Sequence, residues 1–525
     1  MVRFEPSAFS QTFFDKIGIT LFRETTTNLN GSGIRVAQPE AYDSDTNTWE
    51  VNPTNFYIRQ PISIFTYYSA NGTTNGAFPN SVGLESGHAD SVANYFYGVP
   101  NLLATNVAHV DSYDANYFVQ YGEIDLPTST NFTATLPPTN IDDAVVNQSF
   151  DQPGYPVSLQ QASDSTYDNY AAQYATLFVT GVGDGGPVSP PGTCYNGIGV
   201  GAIDGGTSIG PTLDNGRCKP DIVAYGGSTS YSSPQISGSA AILIQAALRG
   251  DGGSNTNDAA DIRTVKAILL NGAVKPSNWT NSTSSPLDAR YGAGILNLFN
   301  SYQQFIGGEH GYSVSNSVSQ GSAHPPTTVT GTVPALTGWN FHSISSSQFV
   351  PIFSSAEDGV EHYFFNITNN AGINLTATLV WERQQNQTNI NHLALFLYNC
   401  ANSNLITCCT SAVDNVQHIF VSGLPAGTYD LQVWKAGGSY VSASESYALA
   451  WTFSAIPMAV TQSGPNINLS WPAYPAGATL KATTNLDSPI VWTTNNISYP
   501  TYTNGMETVS LPANNAARFF ELTPP

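Results

Sequence analysis

The chain has 525 residues, too many for one hydrophobic core, and its length indicates roughly two to four domains. Only 10% of the residues are charged, and 37 acidic against 16 basic residues give a net charge of −21, which argues against binding to nucleic acid or to an anionic membrane. Because 41% of the residues are apolar and no run reaches about 18 apolar residues, the sequence predicts a folded protein without a transmembrane helix.

Strands and helices alternate over residues 1–310, which is typical of an α/β unit with a mainly parallel sheet. The strand patterns are short apolar runs, and later segments with helical periodicity predict helices. The predicted strands lie at 34–37, 144–150, 175–180, 198–202 and 221–224, and the predicted helices cover 86–97, 233–248 and 260–271.

The composition changes after residue 310. Residues 311–337 are rich in Ser, Thr, Gly and Pro and are predicted to form a linker or an irregular segment. Apolar residues then alternate with polar ones, so residues 338–455 predict a β-sandwich of about eight strands. One alternating row is Leu375, Ala377, Leu379 and Trp381. Residues 456–525 have further short strand patterns and predict a small carboxyl-terminal β domain.

Five cysteines allow at most two disulfide bonds, and their spacing does not match a zinc site. Cys194 and Cys218 fall in the α/β region, whereas Cys400, Cys408 and Cys409 cluster later; disulfides and reduced thiols both fit this pattern. The first residues lack the apolar core of a signal peptide. The sequence therefore indicates either a protein that stays inside the cell or a mature, exported chain, and the composition favours export.

The segment from Lys219 to Pro234 contains the clearest chemical signal. An extended apolar run ends in a glycine turn, Ser230 follows, and Pro234 is a typical first-turn residue of the helix predicted after it. A hydroxyl just before a helix amino terminus lies where orphan N–H groups and the helix dipole stabilise a developing anion. The plainer interpretation is an ordinary serine-rich helix cap.

The same segment resembles the nucleophile motif of the subtilisin-like serine proteases, Gly-Thr-Ser-x-Ala-x-Pro, in which Ser230 would be the nucleophile. Serine replaces the first glycine and the alanine of that motif here. A second stretch resembles the family's histidine motif, with Ser91 in place of its second histidine, and implies that His88 is the general base. The two stretches read Ser228-Thr-Ser-Tyr-Ser-Ser-Pro234 and Gly87-His-Ala-Asp-Ser-Val-Ala93.

The resemblance places the acid of a catalytic triad at the end of the first strand, where this chain has Glu40 instead of aspartate. A glutamate can hold the histidine in its tautomer and stabilise the imidazolium form. Asp43 and Asp45 are the alternative acids. The order Glu40, His88, Ser230 is the family order of acid, base and nucleophile, and three ordered motifs are far more specific than one.

The stretch Val182-Gly-Asp-Gly-Gly-Pro187 resembles the family's oxyanion motif, which implies that Asp184 is in the position of its asparagine. A protonated carboxyl there can donate a hydrogen bond to the oxyanion. Alternatively, Asp184 caps a glycine turn and the backbone N–H of Ser230 serves the oxyanion. The resemblance also implies that an extended peptide pairs with an edge strand at 147–150. The implied substrate-contacting residues are Gln148, Ser149, Phe150, Val182 and Gly183.

The sequence therefore predicts an α/β subtilisin-like catalytic domain with a mainly parallel sheet, followed by a β-sandwich (jelly-roll) domain and a small carboxyl-terminal β domain. The predicted function is that of a secreted, monomeric serine endopeptidase acting on protein or peptide substrates, without nucleic acid or membrane insertion. Glu40 and Asp184 also resemble the sedolisins, acid-active relatives with a glutamate and an oxyanion aspartate. Together with the scarcity of Lys and Arg, this predicts tolerance of acidic pH.

Two other classes of function stay open at this level. A catalytically inactive subtilase fold used for binding or surface structure is consistent with the altered motif positions. A carbohydrate-binding surface protein is consistent with the β domains at 338–525. No cofactor is predicted from the residue spacing. Since subtilisins commonly bind calcium, the resemblance raises a structural calcium ion, with candidate ligands Asp43, Asp45, Asp111 and Asp114.

Overall fold

The structure is a computed structural model in which parallel and antiparallel sheets occupy different parts of the chain. The amino-terminal residues 1–7, whose composition bears on export, lie outside the described residues. The described residues are 13–43, 45, 47–101, 103–124, 140–276, 278–347, 355–368, 373–438, 441–454, 458–473, 477–487, 490–495, 497–503, 506–513 and 517–523.

The first unit is an α/β unit whose strands are short and mostly buried. The strands are β1 Arg35–Glu40, β2 Thr48–Glu50, β3 Phe65–Tyr68, β4 Thr74–Asn75, β5 Leu84–Glu85, β6 His109–Asp114, β7 Val145–Gln148, β8 Leu177–Gly181, β9 Ile198–Ala202 and β10 Ile222–Ala224. Eight of them form one sheet in the order β10-β9-β8-β7-β1-β6-β3-β4, parallel throughout except for the last pair. The strands β7, β8 and β9 are unbroken runs of buried residues, as a sheet covered on both faces requires.

Helices pack around this sheet. They are α1 Phe13–Lys16, α2 Ile19–Thr25, α3 Gly87–Phe96, α4 Val157–Tyr174, α5 Thr229–Arg249, α6 Thr256–Ala260, α7 Ile262–Asn271 and α8 Leu298–Phe305, with short 3₁₀ helices at Ile62–Ile64 and Val99–Asn101 and a π-helix at Tyr117–Gly122. The helix α5 is buried along most of its length and packs against β7, β8 and β9. Its amino terminus therefore lies at the carboxyl-terminal edge of the parallel sheet, where active sites of such sheets form.

Two antiparallel sheets form a sandwich after the first unit. The strands are β11 Val314–Ser319, β12 Thr337–Ser345, β13 Glu357–Ile367, β14 Ile373–Trp381, β15 Leu393–Asn399, β16 Asn404–Cys409, β17 Val416–Leu424, β18 Gly427–Lys435 and β19 Ser444–Ser454. They pair in the orders β11-β13-β18-β15-β16 and β12-β19-β14-β17. The alternating row from Leu375 to Trp381 lies in the core between the sheets.

The strand β11 corrects one expectation. Residues 311–337 were expected to be a linker or irregular, yet Val314–Ser319 pairs with β13 at the edge of the five-stranded sheet. Four of its six side chains are polar, and half-buried positions alternate with exposed ones, so the segment lacks the apolar signal of a core strand. An edge strand needs no such signal, because only one of its sides is paired.

A small unit of two further sheets ends the chain. Its strands are β20 Ala459–Ser463, β21 Asn466–Pro472, β22 Thr479–Thr483, β23 Thr501–Thr503, β24 Met506–Pro512 and β25 Phe519–Thr523. They form a four-stranded sheet, β20-β21-β24-β23, and a pair, β22-β25. Its core is separate from the other two and consists of Leu469, Trp471, Leu480, Val509 and Leu511.

The sandwich is packed directly on the first unit. The helix α7 contacts β14 and β19, which are the two central strands of the four-stranded sheet. Trp339 and Val380 of the sandwich belong to the core of the first unit. The Thr378 hydroxyl also donates to Asn271 Oδ1 at 2.8 Å across the contact. One face of this sheet is therefore covered by α7.

The structure also bears on the cysteines, on membrane-spanning helices and on metal sites. All five cysteines are free thiols. No helix in the described part of the chain combines the length and apolar character needed to cross a bilayer. Among the described residues, no group of three or more His, Cys, Asp or Glu side chains is arranged to hold a metal ion. Of the calcium candidates, Asp111 accepts from Arg35 Nη2 at 2.6 Å, and Asp114 accepts from the Asn116 backbone at 2.8 Å.

Candidate active site

The buried Glu40 and the half-buried His88 form a pair at the carboxyl-terminal edge of the sheet. Glu40 is the last residue of β1 and is 1% exposed. His88 is the second residue of α3, which begins after the cap residue Ser86, whose hydroxyl accepts from the Ala89 N–H. Glu40 Oε2 lies 2.8 Å from His88 Nδ1. The structure thus brings together the two residues that the sequence placed 48 positions apart.

A buried amide holds the second oxygen of Glu40. Gln38 Nε2 donates to Glu40 Oε1 at 2.8 Å and to the Ala89 carbonyl at 2.9 Å, and Tyr97 Oη donates to Gln38 Oε1 at 2.6 Å. Gln38 and Tyr97 are both fully buried. Neither residue was predicted from the sequence to belong to the site. Gln38 lies two residues before Glu40, so strand periodicity alone puts it on the same face.

The surroundings of His88 act on its charge in opposite directions. Burial lowers its pKa, but the carboxylate of Glu40, through its charge and its hydrogen bond, raises it, and Asp43 and Asp184 add to the rise. The net effect is a pKa above the usual value of histidine. The ring is 28% exposed, so it faces both the buried carboxylate and open space.

Neither alternative acid contacts the imidazole ring. Asp43 Oδ2 accepts from the backbone N–H of His88 at 3.3 Å. The backbone of Asp45 forms a turn with Thr48. Glu40 is therefore the carboxylate that orients the ring.

Ser230 lies inside the first turn of α5. The helix begins at Thr229, four residues before the predicted start at 233, and Pro234 is inside it rather than at its opening. Ser230 Oγ donates to the Ser149 carbonyl at 3.3 Å, and Ser149 Oγ donates to the Ser230 carbonyl at 2.8 Å. The expectation that the hydroxyl precedes the helix was therefore wrong by one turn.

The first turn of α5 lies beside His88. The ring of Tyr231 is 5.9 Å from the imidazole ring, centroid to centroid. In this structure the Ser230 hydroxyl is bonded to Ser149 and not to His88. Hydrogen bonds of catalytic groups are often long in the absence of substrate, so the missing contact between Ser230 and His88 does not exclude that they react together.

Asp184 acts as a hydrogen-bond acceptor at the amino terminus of α5. Its Oδ1 accepts from the Thr229 N–H at 2.7 Å and from the Thr229 hydroxyl at 2.9 Å. Asp184 therefore caps the helix α5 and does not cap the glycine turn in which it lies. The backbone N–H of Ser230, in the same first turn, has no partner of its own within a helix.

A second carboxylate, Asp151, lies close to Asp184. Burial raises the pKa of Asp151, a hydrogen bond with Ser189 opposes this, and the charge of Asp184 raises the pKa further. Gly183 separates the two acids and has φ +101°; a Cβ there would lie 2.7 Å from Asp151 Oδ2. Glycine is therefore required at 183 by both conformation and space. Asp151 was not predicted from the sequence to belong to the site.

The predicted substrate-contacting residues divide into two groups. Gln148 is fully buried in β7, between β1 and β8, and bonds with Tyr167 and Thr180; the expectation of an edge strand is wrong for this residue. Val182 is also fully buried, and its N–H donates to the Val200 carbonyl. Ser149, Phe150 and Gly183 follow the ends of β7 and β8, near Ser230.

The fold and the site together define an α/β protein with a serine in the first turn of a helix and a carboxylate–histidine pair beside that turn. The sequence model of the Subtilase family matches residues 125–294. That range contains Ser149, Asp184 and Ser230, whereas Glu40 and His88 lie before it.

Two solved structures are similar to parts of the chain. The prenylagaramide maturation protease PagA has 18% identity and a TM-score of 0.32, and the match covers 55% of this chain and 99% of that one. Tripeptidyl peptidase 2 has 11% identity and a TM-score of 0.32, with 76% of this chain and 43% of that one covered. No curated protein matches the sequence.

Proposed function

We propose that the chain is a subtilisin-like serine endopeptidase that hydrolyses peptide bonds through an acyl-enzyme on Ser230. The observation that carries the proposal is the buried 2.8 Å contact between Glu40 and His88, next to the helix turn that contains Ser230. The family match over residues 125–294 supports the same conclusion independently, because it covers Ser230 but neither member of the pair.

In the proposed mechanism, His88 acts first as a base and then as an acid in each half-reaction. His88 Nε2 takes the proton of the Ser230 hydroxyl while Nδ1–H donates to Glu40, which stabilises the imidazolium. The Ser230 oxygen bonds to the peptide carbonyl carbon, and the oxyanion forms at the first turn of α5, where backbone N–H groups stabilise it. His88 then protonates the leaving amine, the C–N bond breaks, and water releases the acyl group by the same route in reverse.

Asp184 has a supporting role in this proposal. Because its oxygen already accepts two hydrogen bonds from Thr229, it fixes the turn that presents the Ser230 N–H. Ser149, Phe150 and Gly183 are proposed to contact the peptide. Export, the monomeric state, the unit boundaries, the jelly-roll topology of the sandwich and a structural calcium ion belong to the same proposal.

The proposed relation to acid concerns tolerance rather than turnover. A raised pKa of His88 leaves less of the neutral base at low pH. Few Lys and Arg residues limit self-repulsion when the carboxylates are protonated. We therefore propose a chain that survives acidic pH but reacts through Ser230 nearer to neutral or alkaline pH.

The second candidate is a catalytically inactive binding protein. Two contacts favour it: the Ser230 hydroxyl bonds to Ser149 rather than to His88, and Asp184 accepts where the family's asparagine would donate. Losing such a donor costs on the order of 10²–10³ in turnover, which slows an enzyme without abolishing it.

Labelling with a fluorophosphonate decides between the two candidates. We expect the wild-type chain and the matched control Ser158→Ala, an exposed serine on α4, to be labelled, and Ser230→Ala to remain unlabelled. An unlabelled wild-type chain at every pH tested would favour the binding protein, and a labelled Ser230→Ala variant would show that Ser230 is not the reacting serine.

A further inference from the structure

The small carboxyl-terminal unit contains an open cavity of about 460 Å³. Pockets of roughly 300–1,000 Å³ are typical of sites for small molecules. Apolar and aromatic side chains make up most of its wall, including Trp471, Leu480, Tyr499 and Tyr502, and one carboxylate, Glu507, is among them. We refer to it as the carboxyl-terminal pocket. It is independent of the candidate active site.

The strand register places the carboxylate between two aromatic rings. In the four-stranded sheet, Glu507 on β24 is directly opposite Trp471 on β21 and Tyr502 on β23. Directly opposed residues have neighbouring side chains on one face. The three side chains therefore form one row across the sheet.

This row is on the core side of the sheet. Along β24 the buried positions are Glu507, Val509 and Leu511, and the residues between them are more exposed. Glu507 is 3% exposed and occupies a position where the pattern calls for an apolar residue. Burying a carboxylate is unfavourable unless it is paired, so the position needs an explanation.

No basic side chain described in this unit pairs with the charge of Glu507. Among the described residues, Glu507 Oε2 has no hydrogen-bond partner. Burial raises the pKa of Glu507 to about 7, although hydrogen bonds from Trp471 and Tyr502 act against the rise. The residues after 457 contain two basic side chains: Lys481 lies between the buried Leu480 and Ala482 and so points to the other face, and Arg518 lies over the Phe520 ring.

We propose that the carboxyl-terminal pocket binds an organic cation, an ammonium or guanidinium group on an apolar stem. Its charge lies against Glu507, and its stem lies among Trp471, Tyr499 and Tyr502. The faces of Trp and Tyr attract cations, and Tyr499, which is 66% exposed, supplies such a face at the mouth. The wall also contains the hydroxyl groups of Thr479, Thr494 and Ser498, which suit a sugar. A neutral sugar would leave the charge of the buried Glu507 unpaired, whereas a cation pairs with it.

Calorimetric titration of the full chain with benzylammonium tests the proposal, with benzyl alcohol as the neutral counterpart. Benzylammonium is expected to bind more tightly than benzyl alcohol. Glu507→Gln, which keeps the shape of the side chain, is expected to weaken benzylammonium about tenfold or more, the scale of one desolvated charge contact. Glu521→Gln on β25, an exposed acid that pairs in register with Lys481, should leave the affinity unchanged.

Two further arms keep the test decisive if Glu507→Gln unfolds. Tyr499→Ala removes an exposed ring and is expected to weaken benzylammonium without affecting folding. In the wild type, affinity should fall about tenfold one pH unit below the pKa of Glu507, because only the ionised form attracts the cation. The other titratable groups lining the pocket are the phenols Tyr499 and Tyr502.

The proposal fails if benzylammonium does not bind, or if its affinity is unchanged in both Glu507→Gln and Tyr499→Ala. Retained binding of maltose or cellobiose in Glu507→Gln, with no binding of benzylammonium, would identify a carbohydrate site in its place. All of these readings hold whether or not Ser230 is a nucleophile, since no active-site residue lines the pocket.

Discussion

Gln38 and Glu40 lie two residues apart on β1 and share a buried hydrogen bond at the candidate site. A glutamate is one methylene longer than the aspartate of the family motif, so its carboxyl group has an additional rotatable bond. Gln38, itself held by Tyr97, fixes the oxygen that His88 does not use. We infer that the hydrogen bond from the Gln38 amide restricts the longer side chain of Glu40, so that its other oxygen can orient His88.

Replacing Gln38 tests this interpretation. In Gln38→Leu the Tyr97 hydroxyl and Glu40 Oε1 lose their partner, and hydrogen bonds to charged groups contribute about 1.5–3 kcal/mol. If that loss falls on the transition state, the rate of fluorophosphonate labelling should drop roughly 10- to 100-fold. Gln385→Leu, which removes a surface contact with Gln173, is the control and should label at the wild-type rate. An unchanged rate in folded Gln38→Leu would contradict the positioning role.

Titration of His88 tests the electrostatics of the pair. Its folded pKa is raised, so the pair stabilises the fold fully below the unfolded pKa of about 6.5 and loses this contribution as pH rises through the folded value. In Glu40→Gln the histidine pKa should fall, measured by NMR of ¹³C-labelled histidine and assigned with His88→Asn. Asp43→Asn should lower it less, because Asp43 bonds to the backbone of His88 rather than to the ring. A larger shift in Asp43→Asn would reverse the assignment of the acid.

The helix α5 positions Ser230, and Pro234 within this helix changes the hydrogen bonding of its first turn. Pro234 has no N–H, so the carbonyl of Ser230, four residues earlier, has no helical donor. The hydroxyl of Ser149 donates to that carbonyl instead. The missing N–H of Pro234 thus links the end of β7 to the turn that contains Ser230.

A pair of substitutions measures this link. Ser149→Ala should lower the free energy of unfolding by about 1 kcal/mol, because the Ser230 carbonyl loses its donor. In the Pro234→Ala background the same change should have less effect, since the N–H of residue 234 can supply the helical bond. Urea unfolding measures both, with Ser158→Ala on α4 as the control, expected within about 0.5 kcal/mol of wild type. Equal effects in the two backgrounds would show that Ser149 acts elsewhere.

At the scale of elements, the sequence predicts more of the fold than of the contacts. The sequence predicts five of the eight strands of the main sheet, β1, β7, β8, β9 and β10, to within about two residues at most ends, because buried parallel strands are continuous apolar runs. The strands β3, β4 and β6 were not predicted. The start of α5 was misplaced because Pro234 resembles a first-turn residue, while the true cap involves Asp184, 45 positions away. The contact of Tyr97 with Gln38 spans 59 positions, and no local pattern records such a contact.

At the scale of the whole molecule, the sandwich contributes side chains to the core of the α/β unit. Trp339 of β12 stacks on Phe305 of α8, with ring centroids 5.9 Å apart, and donates its indole N–H to the Phe305 carbonyl. A carbohydrate site on the four-stranded sheet is disfavoured at the face that α7 covers.

This shared core predicts cooperative unfolding. Trp339→Ala should lower the free energy of unfolding by about 3–5 kcal/mol, the usual cost of removing a buried tryptophan. Tryptophan fluorescence and loss of fluorophosphonate labelling should shift together along the urea axis, because both units melt as one. Leu405→Ala on β16, which is 47% exposed, is the control and should change little. Two separate transitions, with Trp339→Ala moving only one, would show independent units.

The contact of α7 with the sandwich also bears on how this protein can be produced in parts. The sequence shows a clear change of composition near residue 310, and a truncation there would follow ordinary practice. Ending the chain at that point would remove β14 and β19 and leave the face of α7 that contacts them open to water. An excised α/β unit should therefore self-associate, so residues through Ser454 belong in any fragment intended for enzymology.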